Sequence, residues 1–231
     1  MTSAIGAVVT ESESMVDCWP DEILSDGPRR VPSMPARLRI VHPSGASEMV
    51  DLPVERWHAP AGYTDTAVLS RARSPVLDIG CGPGRHVVAL IAAGQIALGI
   101  DVSHAAVRAT GRRGGPAVRV SVFGQVPAAG AWATALLLDG NIGIGGDPGA
   151  LLTRVAVLLA PGGTALVELD RPGVTPGQCH AHVLHFGRVG PRFPWARVGP
   201  TEIAETAGAA GLSLADVWSA GDRWFAQLDR R

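Results

Sequence analysis

From residue 75 onward the apolar positions fall into short blocks that switch between near-continuous runs and helical spacing. The order is strand 75–80, helix 84–93, strand 96–100, helix 103–112, strand 117–122, strand 133–138, helix 148–159 and strand 163–169. Runs such as VLDI, ALGI and ALVEL suit strands covered on both faces, so the pattern predicts a parallel sheet with helices on each side. Several boundaries carry their own chemistry. Ser103 suits the cap of the second helix, Asp147 with Pro148 places a cap and a first-turn proline on the third, and PGG at 161–163 is expected to end it. No helix is evident between Gln125 and Trp132, so that crossover is expected to be short.

The flanks read differently. Residues 1–35 mix Ser, Glu and Pro without a sustained period and are expected to form a poorly ordered or loosely packed tail. The remainder, 36–231, reads as one domain that starts with a hairpin and a lid helix at 36–73. Runs at 38–41 and 48–52 flank the turn PSGAS as a hairpin, and 64–73 reads as a helix with Thr64 as its cap. Further on, QCHAHVLHFG at 178–187 reads as an extra strand and PRFPW as a loop. Residues 200–210 then read as a helix, and two runs around Gly221 as an antiparallel pair.

Composition narrows the class. The 231 residues are 46% hydrophobic and 18% charged, with a net charge of −1, which fits a globular domain with no bulk attraction to nucleic acid or anionic lipid. All basic residues are arginine, so no lysine can serve as base or Schiff-base former. No apolar run reaches the roughly 20 residues of a spanning helix. Three cysteines, Cys18, Cys81 and Cys179, lack metal spacing and point to a reduced, cytoplasmic protein. Cys81 sits in a turn where a small residue fits, which weighs a structural role above a reactive one.

The candidate chemistry centres on VLDIGCGPGR, residues 76–85, with Asp101 ending GID seventeen residues after Gly84. A strand that runs into Gly80, Gly82 and Gly84 gives the positive backbone angles and close approach that a nucleoside ligand needs. An acid at the end of the next strand can accept both ribose hydroxyls. In a GxGxxG register from Gly80 the sixth position is Arg85, which argues against a dinucleotide fingerprint. Asp78, just before the glycines, is a poor neighbour for a pyrophosphate and a good one for an ammonium or sulfonium group.

These motifs, LDIGCGPGR, GID, LLLDGNIG and LLAPGG before a strand, resemble the series found in class I S-adenosylmethionine-dependent methyltransferases, over roughly residues 75–170. The segments RWHAP, DGNIGIGGDP and FPWARVG resemble those of an actinobacterial subgroup. The resemblance implies a Rossmann-like, doubly wound α/β fold, a mostly parallel seven-stranded sheet with a C-terminal antiparallel hairpin, and S-adenosylmethionine as cofactor. Gly80, Cys81, Gly82 and Gly84 would line its methionine and ribose, Asp78 would act on its amino end, Asp101 would hold the ribose and Val102 would pack on adenine. Ser121 and Val122 stand where the family often has an adenine-binding acid. Asp139 and Gly140 would complete the cofactor site.

The expected partner is a small-molecule acceptor, methylated in line, with neither nucleic acid nor membrane involved. DGN lacks the aromatic, proline-rich pattern of amino-directed nucleic-acid methyltransferases. Trp57, Asn141 and Trp195 are candidate acceptor contacts, weighed against plain packing of the tryptophans. His182, His180 and His58 are candidate bases, weighed against a polar strand face, and HxH without a nearby carboxylate is not a metal site. An NAD(P)-dependent oxidoreductase and a non-catalytic S-adenosylmethionine-binding protein are the competing readings.

Overall fold

A computed structural model describes residues 18–25 and 36–231. In chain order, a short helix α1 (Asp21–Leu24) precedes the hairpin β1 (Arg37–Val41) and β2 (Ser47–Asp51), then helices α2 (Val54–His58) and α3 (Tyr63–Leu69). Next come β3 (Val76–Ile79), α4 (Arg85–Ala92), β4 (Ala97–Asp101), α5 (His104–Arg112), β5 (Ala117–Arg119) and β6 (Trp132–Leu137). A 3-10 segment at Asn141–Gly146 leads into α6 (Pro148–Leu158) and β7 (Leu159–Leu169). The chain closes with β8 (Gly177–His185), β9 (Arg188–Val189), β10 (Phe193–Arg197), α7 (Ile203–Ala209), β11 (Leu212–Ala220) and β12 (Arg223–Arg230).

The strands make two sheets. The larger has seven strands in the order β11-β12-β7-β6-β3-β4-β5, and the smaller is antiparallel with a path β10-β8-β1-β2 and β9 on β8. The expected Rossmann-like architecture is therefore present: β5, β4, β3, β6 and β7 run parallel, and β12 turns antiparallel against β7. Strand β3 shows why its sequence does not alternate. Leu77 and Ile79 pack on one side with Leu151 and Val155 of α6, while Val76 packs on the other with Val68, Val87 and Leu90 of α3 and α4. Asp78 shares that second side. Chain order reverses between β3 and β6, which opens a crevice beyond their carboxyl ends.

Caps follow the sequence where a side chain can reach the backbone. Ser103 accepts from Ala106 N at 3.2 Å, and Asp147 accepts from Ala150 N at 3.0 Å, each worth about 1 kcal/mol. For α3 the cap is Gly62 rather than Thr64, because the Asp65 carboxylate takes the Gly62 N–H at 2.9 Å. PGG does not end a helix. Leu159 is already extended beyond α6, and Ala160 to Gly163 lie inside β7, where Gly163 passes so close to Trp132 that a Cβ there would sit 3.0 Å from its carbonyl oxygen. β5 stops at Arg119, and residues 121–124 turn through a Gly124 N to Ser121 O bond of 2.9 Å.

The largest difference from expectation is in PRFPW, where Phe193 to Trp195 belong to a strand and only Pro191 and Arg192 stay outside it. β10 pairs with β8 through Phe193 opposite Ala181 and Trp195 opposite Cys179. Residues 18–25 also differ from a loose tail: Ile23 and Leu24 are buried, and Trp19 lies 5.9 Å from the Trp57 ring. The rest of the expected tail lies outside the described residues. Among the described residues no helix is long and apolar enough to cross a membrane.

Candidate functional site

A cavity of about 820 Å³ lies between the carboxyl ends of the parallel strands and the small sheet. That is near the top of the ~300–1,000 Å³ range of small-molecule sites, with room for two ligands. Its first wall is the glycine turn. Gly80, Gly82 and Gly84 have φ of +70°, +52° and +84°, the left-handed region where a side chain is strained. Gly80 also touches Asn141, and a Cβ there would lie 2.7 Å from the Asn141 amide nitrogen. That amide donates to the carbonyls of Ile79 at 2.8 Å and Gly80 at 2.9 Å, so Asn141 fixes the turn from β6. Around Gly82 a Cβ would meet nothing within 4 Å, leaving its surface open to a ligand.

Asp101, at the end of β4, is held from both sides. One carboxylate oxygen accepts the Gly82 N–H at 2.9 Å and the other the Ser103 N–H at 2.8 Å. Burial pushes its pKa up, against the lowering effect of these two backbone bonds. Each oxygen keeps a lone pair, so the group can still accept a pair of neighbouring hydroxyls. Val102, Ser121 and Val122 line the same stretch of wall. Cys81 lines it too, and burial pushes its thiol well above the ordinary range; its sulfur packs so tightly on Gly99 that a Cβ there would lie 2.7 Å away. The structural reading of this cysteine fits both facts.

Asp78 and Gly84 lie behind the wall. Gly84 lets the turn close on α5, where a Cβ would fall 2.5 Å from Thr110. Asp78 is 1% exposed, and one of its carboxylate oxygens receives no hydrogen bond among the described residues. It belongs to a largely buried network of four cationic and four anionic side chains at the cavity floor, of which Arg56, Arg85, His86 and Asp139 line the cavity. Arg85 pairs with Asp65 and, at 2.5 Å, with Asp139. Arg223 reaches Asp65 at 2.7 Å, Glu168 at 2.6 Å and Asp139 at 3.3 Å, and Arg56 reaches Asp139 at 3.1 Å. His86 lies between Asp65 at 3.6 Å and Asp78 at 3.7 Å. Burial alone would lower the His86 pKa, yet the two carboxylates outweigh it and raise the group to about 9. Burial alone would raise Asp139, but His86 and the three arginines hold it below the usual carboxylate range.

Sequence reasoning treated Arg85 only as a departure from a glycine motif and passed over Asp65, His86, Glu168 and Arg223. A signal existed. A lone charge inside an otherwise apolar strand, as in VLDI and LVEL, is affordable only when a partner lies opposite.

The second wall is made of side chains. Trp57 and Trp195 line the cavity with Trp19, Leu24, Leu38 and Ile40. Trp57 is nine-tenths buried, and its indole N–H has no partner among the described residues. At the end of β7, Asp170 also lines the cavity beside Arg197 of β10. Asp139, Gly140 and Asn141 join the two walls at the end of β6. The structure does not bring the three histidines here. His58 lies 2.8 Å from the Ile23 carbonyl, and His182 lies 3.1 Å from that of Gly190. His180 and His182 share the face of β8 opposite the buried Cys179, Ala181 and Val183, and none of the three histidines lines the cavity.

No protein-family model matches the sequence, and no curated protein matches it. Solved structures do match in shape. An S-adenosylmethionine-dependent methyltransferase from Bacteroides fragilis, in complex with S-adenosyl-L-homocysteine, superposes with a TM-score of 0.66 at 23% identity, covering 83% of this chain and 86% of that one. The sugar N-methyltransferase KedS8 from Streptoalloteichus gives 0.55 at 20% identity, covering 76% and 88%. The 1,6-didemethyltoxoflavin-N1-methyltransferase of Burkholderia thailandensis gives 0.54 at 16%, covering 72% and 76%. The fold of this chain is the one these S-adenosylmethionine-dependent methyltransferases share.

Proposed function

We propose that the cavity binds S-adenosylmethionine against the glycine turn and a small-molecule acceptor under the small sheet, and that the protein transfers the methyl group between them. The observation that carries this reading is Asp101, whose oxygens are each fixed by one backbone N–H beside the open face of Gly82, at the reversal of strand order. Such a carboxylate suits the two hydroxyls of a ribose. The residues fit the rest of the cofactor as well. Val102, Ser121 and Val122 offer a mostly apolar slot for adenine. Asp78, whose Oδ2 faces His86 Nδ1 at 3.7 Å behind the turn, suits the ammonium end through water. Arg56, which lines the cavity and whose Nε has no partner among the described residues, suits the carboxylate.

When bound, the cofactor supplies a methyl group on a sulfonium, already activated for attack. The chain's own task is then alignment: holding the acceptor's nucleophile in line with that methyl converts a two-body encounter into one step, worth up to about 7–11 kcal/mol. The ion network under the floor fixes Asp139 and the turn so that this geometry does not drift. Arg85 weighs against a dinucleotide, because its side chain is buried beneath the turn in those ion pairs instead of leaving a bare glycine there.

Calorimetric titration with S-adenosylmethionine, S-adenosylhomocysteine and NADH tests the proposal. One molecule of either adenosyl thio-ligand per chain is expected, with no heat from NADH. Binding of NADH without binding of S-adenosylhomocysteine would replace methyl transfer with hydride chemistry.

A further inference from the structure

The small-sheet side of the cavity is mostly apolar, with carboxylates at the exposed rim, Asp51, and at the Asp170 corner. Arg197 gives Nε at 3.0 Å and a terminal nitrogen at 2.6 Å to the same oxygen, Oδ1 of Asp170, and its other terminal nitrogen at 2.5 Å to Glu48. These contacts use three of the five N–H groups of the guanidinium and turn it toward the two carboxylates. The other oxygen, Oδ2 of Asp170, receives no hydrogen bond among the described residues. One guanidinium also serves two carboxylates, and Glu48 turns outward, 42% exposed and beside His42. The charge left uncompensated on the cavity side is negative. Around it the tryptophan-lined wall offers flat apolar surface and ring faces that attract cations.

We propose that the acceptor is a small amine with a flat, apolar body, and that Asp170 Oδ2 receives its N–H. This inference rests on the methyl-transfer reading and names its substrate class. The bound ammonium first gives one proton to water, and the free-base nitrogen then attacks: its lone pair forms the new C–N bond as the C–S bond breaks, and the electron pair of the C–S bond stays on sulfur. Positive charge thereby leaves sulfur, which becomes a neutral thioether, and appears on nitrogen, which keeps its proton until the product meets water. A fixed carboxylate at that nitrogen is worth more in the transition state than before it, so it accelerates transfer without acting as a base.

The test uses three indoles that differ only in the group at the end of the side chain: tryptamine, tryptophol and indole-3-propionate. Each is titrated into the full-length protein after saturation with S-adenosylhomocysteine, whose own binding is measured first. Tryptamine is expected to bind at least about tenfold more tightly than the other two. Asp170→Asn, with unchanged S-adenosylhomocysteine affinity as the control for folding, should remove that preference. Asp51→Asn, which removes an exposed carboxylate at the rim paired with Arg37, should keep it. Equal or tighter binding of the propionate, an amine preference that survives Asp170→Asn, or no indole binding to the loaded protein would each overturn the inference. Failure of S-adenosylhomocysteine itself to bind would instead remove the methyl-transfer reading, and this inference with it.

Discussion

Along the glycine turn the cavity wall is largely backbone: the N–H groups of Gly82 and Ser103 hold Asp101, and Asn141 holds two successive carbonyls. Under the small sheet the wall is side chains, contributed by α1, β1, α2 and β10. The first wall comes from neighbouring elements around one reversal of strand order and cannot change without disturbing the parallel sheet. The second is assembled from segments far apart in sequence, and any one of its side chains can change while the sheet stays intact. A fold built this way keeps one ligand constant and leaves the other free to vary. The buried ion network lies beneath the junction of the two walls.

Breaking that network should have the largest effect. Arg85→Met leaves Asp65 and Asp139 without one of their cations, and removing one partner of a buried pair costs about 3–5 kcal/mol. Chemical denaturation should show the loss directly; a change below about 1 kcal/mol would mean that the floor is not held by charge. Proton loss from His86 is a milder version of the same break. Its folded pKa, about 9, is above its unfolded value of 6.5, so its contribution is complete below pH 6.5 and disappears as pH rises through 9. The difference amounts to at most about 3 kcal/mol. Denaturation midpoints should fall between pH 6.5 and 9 in the native chain and stay flatter in His86→Gln. Equal slopes in the two proteins would assign the pH dependence elsewhere.

A gentler probe separates the walls. Trp57→Phe keeps an aromatic ring and removes the unpartnered indole N–H, so stability should change by less than about 1.5 kcal/mol and S-adenosylhomocysteine affinity should stay the same. If that affinity falls tenfold, the two walls are not independent.

The difference between the walls also explains what the sequence discloses. Parallel strands buried on both faces read as near-continuous apolar runs, so β3, β4, β6 and most of β7 were legible, as were the glycine turn and Asp101. β10 was not, because Pro194 interrupts its pattern; as the edge strand of its sheet, β10 tolerates a residue without an N–H. The helix stop expected at PGG failed for a related reason, since Gly163 serves a close passage against β6 rather than a helix end. The histidine strand was read correctly as a strand. Which way its faces point depends on β1 and β10 pairing on either side of it, and no local pattern carries that. Asp170 has the same character: its significance comes from Arg197, 27 residues away.

The most direct test of the account is a pair of titrations with S-adenosylhomocysteine, one on the native chain and one on Asp101→Ala. The account predicts one ligand per native chain and a dissociation constant at least about tenfold weaker in the variant, or roughly 1.4 kcal/mol for a lost charge-assisted contact. Equal dissociation constants would contradict it, because the carboxylate fixed beside the glycine turn would then not hold the ligand.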